Sequence, residues 1–171
     1  AFSSERRAFL GIPAGTRFYE ETTFWNPSWT LAPGSVQTST IADMAVSALA
    51  FAEGTLLSPE SHAAQIAPDL LGFGAPLEGC PACHTLDADY TYGLGIVLSG
   101  PWVLQNPLLA GYGSIAAGLP GRNLAIAVAT TFNETCFDEQ GDNTSSRASW
   151  NIFADIAAIL APDAVPATRR S

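Results

Sequence analysis

Apolar residues recur at helical spacing over Ile41, Met44, Ala45, Ala48, Leu49 and Ala52, and Gly54 ends the run. Thr40-Ile41-Ala42-Asp43 opens this helix in the manner of a capping box. Ser58 ahead of Pro59-Glu60 predicts a second, shorter helix that stops by Pro68. Residues 69–89 carry Gly, Pro and Cys and read as loop. The period then switches to two: Tyr90, Tyr92, Leu94, Ile96 and Leu98 alternate, which predicts a strand turning at Gly100-Pro101. Trp102–Leu109 and Tyr112–Leu119 read as further strands, interrupted by Pro107 and by glycines. Beyond the Pro120-Gly121 turn, Leu124, Ile126 and Val128 alternate with Ala125, Ala127 and Ala129. Large side chains on one face and Ala on the other suit a sheet covered on both sides. A polar loop at 138–146 leads into a last helix with Trp150, Phe153, Ala154, Ala157 and Leu160 on one stripe, closed by Pro162.

Helices and strands segregated in this way predict an α+β fold, an antiparallel sheet flanked by helices. Ahead of it, residues 1–37 form an aromatic, loop-rich segment; the domain proper runs over 38–161, and 162–171 is a tail expected to fray.

Composition narrows the function classes. The chain has 171 residues, 47% hydrophobic and 13% charged, which excludes disorder and fits one domain. No apolar run approaches the ~18 residues of a membrane span. The formal net charge of −9 repels phosphate backbones, so nucleic acid is not an expected partner. All seven basic residues are Arg. Without Lys the chain supports no Schiff base, no P-loop lysine and no Ser-x-x-Lys nucleophile. Three cysteines allow one internal disulfide and leave one thiol over. The start at Ala1, without initiator Met or signal peptide, is what a processed product or a piece of a longer protein would have.

The run from Gln105 to Ile126 resembles the C-terminal strand pair of serine β-lactamases and DD-peptidases, above all class C enzymes and related esterases. In that family a K-T-G or H-x-G triplet precedes a Gly-rich, aromatic-Gly-Ser run, a Pro-x-[KR]-Asn-Leu turn and an apolar strand. Tyr92-Gly93-Leu94-Gly95 is similar to the family's Y-G-L-G strand, and Ser39-Thr40-Ile41-Ala42-Asp43-Met44 to its S-T-x-x-D-M/L helix start. Leu56-Leu57-Ser58-Pro59-Glu60 matches the usual continuation. The resemblance covers about residues 34–132. It implies the C-terminal part of the β-lactamase/transpeptidase-like fold, with the nucleophilic Ser, its Lys and the Tyr-x-Asn motif upstream. It also implies a companion polypeptide, or N-terminal half, whose strands complete the sheet.

In the family's terms Gln105, Asn106 and Pro107 replace the triplet, so its cation and its glycine are both missing. Leu108 keeps the backbone N–H that serves as half of the oxyanion hole. Gln105, Asn106 and Leu108 are therefore the candidate substrate strand, in a working or a degenerate site. Trp25, Trp29 and Tyr112 are candidates for an apolar pocket wall, or simply for loop and strand packing. Cys80-Pro81-Ala82-Cys83-His84 fits a loop-stapling Cys80–Cys83 disulfide or a variant in which Cys136 takes part, the C-x-x-C-H pattern of c-type haem attachment, or a metal site completed by Cys136 and His84. His62 reads as a surface residue, and Asn133-Glu134-Thr135 and Asn143-Thr144-Ser145 as glycosylation sequons.

The expected function is ester or amide hydrolysis by a β-lactamase-related serine hydrolase of which this chain is an inert C-terminal portion. No cofactor and no metal are expected, and the location is secreted or cell-envelope. The rivals are a non-catalytic binding or structural protein on the same fold and a c-type haem protein.

Overall fold

The computed structural model describes residues 1–26, 38–78, 80 and 83–166. Along the chain lie β1 (Phe2–Ser3), β2 (Glu20–Glu21), α1 (Ile41–Glu53), α2 (Pro59–Gln65), β3 (Thr91–Tyr92) and β4 (Val97–Ser99). There follow β5 (Trp102–Gln105), β6 (Leu108–Leu109), β7 (Tyr112–Leu119), β8 (Leu124–Thr131) and α3 (Ala148–Leu160). β1 and β2 make a small antiparallel ladder of their own, within a segment that the sequence presents as loop. The other strands form one antiparallel sheet, and the fold is α+β.

Local chemistry sets the helix ends. Thr40 Oγ1 accepts the Asp43 N–H at 3.1 Å and Gly54, at φ 66°, closes α1 in the left-handed region. Ser58 caps α2 in the same way through the Ser61 N–H, at 3.2 Å. The two long helices lie on opposite faces of the sheet and meet different surfaces. α3 packs Trp150, Phe153 and Ala157 onto Trp102, Leu104, Ile115, Leu119, Ile126 and Val128, the large-residue face. α1 packs on β7 and β8 over their small residues and on β5 at Val103. Register brings Gly118 opposite Ala125 and Ala116 opposite Ala127. A Cβ on Gly118 would stand 2.5 Å from Ala52 Cβ and 2.6 Å from the Ala48 carbonyl oxygen, so the helix rests on the strand at glycine distance.

Two expectations change, at Tyr90–Leu98 and at the tail. The alternating stretch Tyr90–Leu98 is a hairpin, not one strand: Thr91 pairs with Leu98 and Tyr92 with Val97. Gly95, at φ 68°, makes the reversal, and the alternation runs through it by coincidence of phase. Trp102–Leu109 keeps the interruption expected at Pro107, with β5 and β6 pairing with β7 in a single register on either side of Asn106-Pro107. The tail is docked as far as Pro166. Trp102 Nε1 donates to the Ala164 carbonyl at 2.6 Å, Ala164 and Pro166 are buried, and Arg122 pairs with Asp163. That guanidinium, by hydrogen bonding, holds the Asp163 carboxyl down to about 2.

β8 pairs with β7 on one side, and among the described residues no strand pairs with its other edge. Replacing Gly118 by Ala tests the helix seat. The added methyl is expected to cost about 1–3 kcal/mol, and about 2–4 °C of Tm per kcal/mol for a chain of this size. Gly118→Val is expected to cost more, both read from urea and thermal unfolding.

Candidate functional site

Pro107 has no N–H, so the strand it sits in cannot keep its full ladder. The Ser114 N–H still donates to the Pro107 carbonyl, at 3.2 Å, which fixes the phase of the antiparallel pairing. With 107 facing β7, alternation turns the N–H and C=O of Asn106 and Leu108 to the outer edge. β4 covers that edge only opposite Trp102, Val103 and Leu104. From Gln105 to Leu109 no strand pairs with it among the described residues.

Gln105 is half-buried at the end of β5, and its Nε2 donates to the Gly95 carbonyl, bridging to the hairpin where β4 has already turned away. Its amide is thus committed to the fold. Asn106 follows, half-buried, with Nδ2 donating to the Tyr90 hydroxyl at 3.2 Å, and that hydroxyl lies 3.2 Å from the Tyr92 hydroxyl. Of Leu108 only the backbone is described; it starts β6 opposite Gly113.

Beside Asn106 opens a polar depression of about 190 Å³, lined by Tyr90, Ser114, Ile115, Ser146, Arg147, Ser149 and Trp150. Arg147 stands at the start of α3, where no side chain caps the helix and the first turn carries no acid, so the positive end of the helix dipole is not neutralised there. The other described arginines are all engaged. Arg6 pairs with Glu20 and Arg7 with Asp142, both at 2.8 Å, Arg122 pairs with Asp163, and Arg17 lies over the Tyr19 ring at 5.3 Å. The Arg147 side chain has no ion pair or hydrogen bond among the described residues, in a chain with more than twice as many carboxylates as cations. An unpaired, half-buried guanidinium among hydroxyls is equipped to hold an anion.

Trp25 and Tyr112 line a second depression, of about 210 Å³, with Leu109 and Thr22. The Arg6 guanidinium sits 4.9 Å from the Trp25 ring centroid while its ion pair to Glu20 holds it there. Leu109 pairs with Tyr112 across the β6–β7 turn, and Asn106 falls on the other face of the strand by alternation, so this depression is separate from the polar one. Trp29 lies outside the described residues.

Cys80 and Cys83 are joined in a disulfide, which leaves neither sulfur for a haem thioether, and Cys136 is a free, half-buried thiol. His84 packs edge-on to Tyr90 with centroids 5.9 Å apart. Among the described residues no three His, Cys, Asp or Glu side chains gather as a metal site would need. His62 is half-buried rather than on the surface, because α2 folds back and lays the imidazole over Gly54.

Sequence reasoning missed Arg147 and Ser149. A faint signal existed: no Asp or Glu stands three or four positions from Arg147, so a helix partner for it was excluded from the start. No family model matches the chain, and no curated protein matches it either.

The fold-bound role of Gln105 has a direct consequence. Gln105→Ala removes one side-chain bridge between β5 and the hairpin and is expected to lower stability by about 0.5–1.5 kcal/mol in urea unfolding. The occupancy of the polar depression by added acetate, followed by NMR at the Ser149 amide, is expected to stay unchanged.

Proposed function

We propose that this chain is the C-terminal part of a β-lactamase-related serine hydrolase that cleaves an ester or amide. The nucleophile and its Lys come from polypeptide outside these residues, since a chain without Lys holds no Ser-x-x-Lys. The observation that carries the reading is the open strand edge from Gln105 to Leu109, with the Leu108 N–H turned outward next to a depression that holds an unengaged arginine. In this reading the seryl oxygen attacks the substrate carbonyl and its proton passes to the Lys amine. The Leu108 N–H donates to the oxygen on which negative charge develops. Collapse expels the alcohol or amine, which takes up the proton, and water then releases the acid from the serine.

Arg147 supplies the cation that the triplet lacks. Gln105 is committed to Gly95, so the anion-holding function falls to the guanidinium beside Asn106. The substrate class is then an ester or amide that bears a carboxylate. The unpaired outer edge of β8 supports a further strand from the same companion segment, and the disulfide suits an exported protein.

A second reading, a binding protein on the same architecture with catalysis lost, has a specific observation in its favour: Pro107 stands where the family's glycine lets substrate lie flat, and Gln105 is tied down. Fluorophosphonate labelling of the full-length protein, followed by peptide mapping, separates the two. The expected adduct sits on a serine of a Ser-x-x-Lys outside residues 1–171, and residues 1–171 alone turn over neither a chromogenic β-lactam nor a nitrophenyl ester. An adduct within 1–171 overturns the proposal, and a full-length protein that takes no label hands the site to the binding reading.

In the unlabelled full-length enzyme, Arg147→Ala is expected to raise KM for a carboxylate-bearing ester by about 10- to 100-fold, the worth of a charge-assisted hydrogen bond. Hydrolysis of a neutral ester is expected to change less than about twofold.

A further inference from the structure

The open strand edge has a second side. Asn106 meets the depression that holds Arg147, and Leu109, on the other face of the strand, meets the depression walled by Trp25 and Tyr112. The two measure about 190 and 210 Å³. Each is smaller than the ~300–1,000 Å³ of a whole small-molecule site, so each is sized for one group of a larger ligand. Along the edge the Leu108 N–H lies between them, turned outward, and no strand pairs with it among the described residues.

The aromatic depression is built by the N-terminal segment. Thr22 Oγ1 donates to the Ala110 carbonyl at 2.9 Å, and a turn closed by the Trp25 N–H on the Thr22 carbonyl, at 3.0 Å, brings Trp25 beside Leu109 and Tyr112. Gly111, at φ 84°, admits that segment: a Cβ there would stand 2.6 Å from Thr22 Oγ1. The Arg6 guanidinium, held by two bonds to Glu20 at 2.8 and 2.9 Å, steadies the indole from 4.9 Å. The wall is therefore set before a ligand arrives, which lowers the ordering cost of binding. Trp25, Leu109 and Tyr112 are half-buried, so each keeps part of its surface open. No charged residue lines the depression among the described residues.

We propose that the depression walled by Trp25 and Tyr112 takes an uncharged aromatic ring of the same substrate whose carboxylate Arg147 holds, with the scissile carbonyl on the Leu108 N–H between the two groups. Aromatic walls favour an aromatic guest beyond the area it buries. A charged group entering there meets no counter-charge. The substrate class is then an aryl-bearing, carboxylated ester or amide, its ring and carboxylate about 10 Å apart, the extended span from Asn106 to Leu109. The inference rests on the hydrolase reading for the carbonyl and the anion that it places on either side of the edge.

The test is a calorimetric titration of the full-length protein, which needs no turnover. The probes are N-(3-phenylpropanoyl)glycine, which carries ring, carbonyl and carboxylate in that order, and N-propanoylglycine, the same molecule without the ring. The phenyl compound is expected to bind about 10- to 100-fold more tightly, the worth of burying one aromatic side chain. Trp25→Ala is expected to narrow that ratio to below about threefold as the buried area is lost. Arg147→Ala, on the other face, is expected to weaken both compounds by the same factor and keep the ratio. Should Trp25→Ala lose both compounds together, as a failed fold would, Tyr112→Leu decides by the same ratio. Equal affinity for the two compounds overturns the proposal, and so does a preference for the ring that survives both Trp25→Ala and Tyr112→Leu. A protein that takes a fluorophosphonate label but shows no preference for the ring loses this inference alone. One that takes no label yet shows the full pattern keeps the aromatic subsite and loses the hydrolase reading.

Discussion

The seating of α1 on Gly118 is the contact on which the rest of the molecule depends. Where α1 crosses β7 and β8, at Ala116, Gly118, Ala125 and Ala127, side chains are reduced to Gly and Ala, and α1 answers with Ala48 and Ala52, both fully buried. The helix therefore approaches the sheet backbone at a distance that any larger residue would forbid. The opposite face is built the other way, with Trp102, Phe153, Leu104 and Ile115 interlocked beneath α3. One thin interface and one thick one fix the sheet between two helices and leave its edges, rather than its faces, as the surfaces open to further pairing.

That division explains where the chemistry collects. The strand from Trp102 to Leu109 is anchored at one end by the Trp102 indole and at the other by the turn at Gly111, and in between it gives up its regular hydrogen bonding at Pro107. The helix that covers the thick face starts beside that break, bringing Arg147 and Ser149 to the depression that Asn106 also lines. The other described arginines hold the periphery together, Arg7 and Asp142 across the N-terminal segment and Arg122 and Asp163 across the docked tail. Among the described arginines, the one not spent on structure sits where the sheet margin, a helix start and a cluster of hydroxyls meet.

Much of this was readable in advance from one-dimensional pattern. Apolar spacing located α1 and α3, and the Leu-Ala-Ile-Ala-Val alternation located β8 and its two unequal faces. The same logic failed at Tyr90–Leu98, where residues on both arms of a hairpin kept step with a single strand; Gly93 and Gly95 were the only local warning. Arg147 stayed hidden because its significance lies in partners it lacks, and a missing partner is a property of three-dimensional arrangement. His62 was misjudged for a related reason. Nothing in its neighbours along the chain reports that α2 folds back over Gly54.

The N-terminal segment has a consequence for assembly order. The Phe2 N–H bonds the Phe132 carbonyl, and Arg7 meets Asp142, a residue 135 positions away. During synthesis Phe2 and Arg7 wait until Phe132 and Asp142 have emerged before they find these partners. Closure of so long a loop comes late and slowly. The aromatic stretch around Trp25 therefore spends its early life exposed to solvent, and a chaperone would find its handle there.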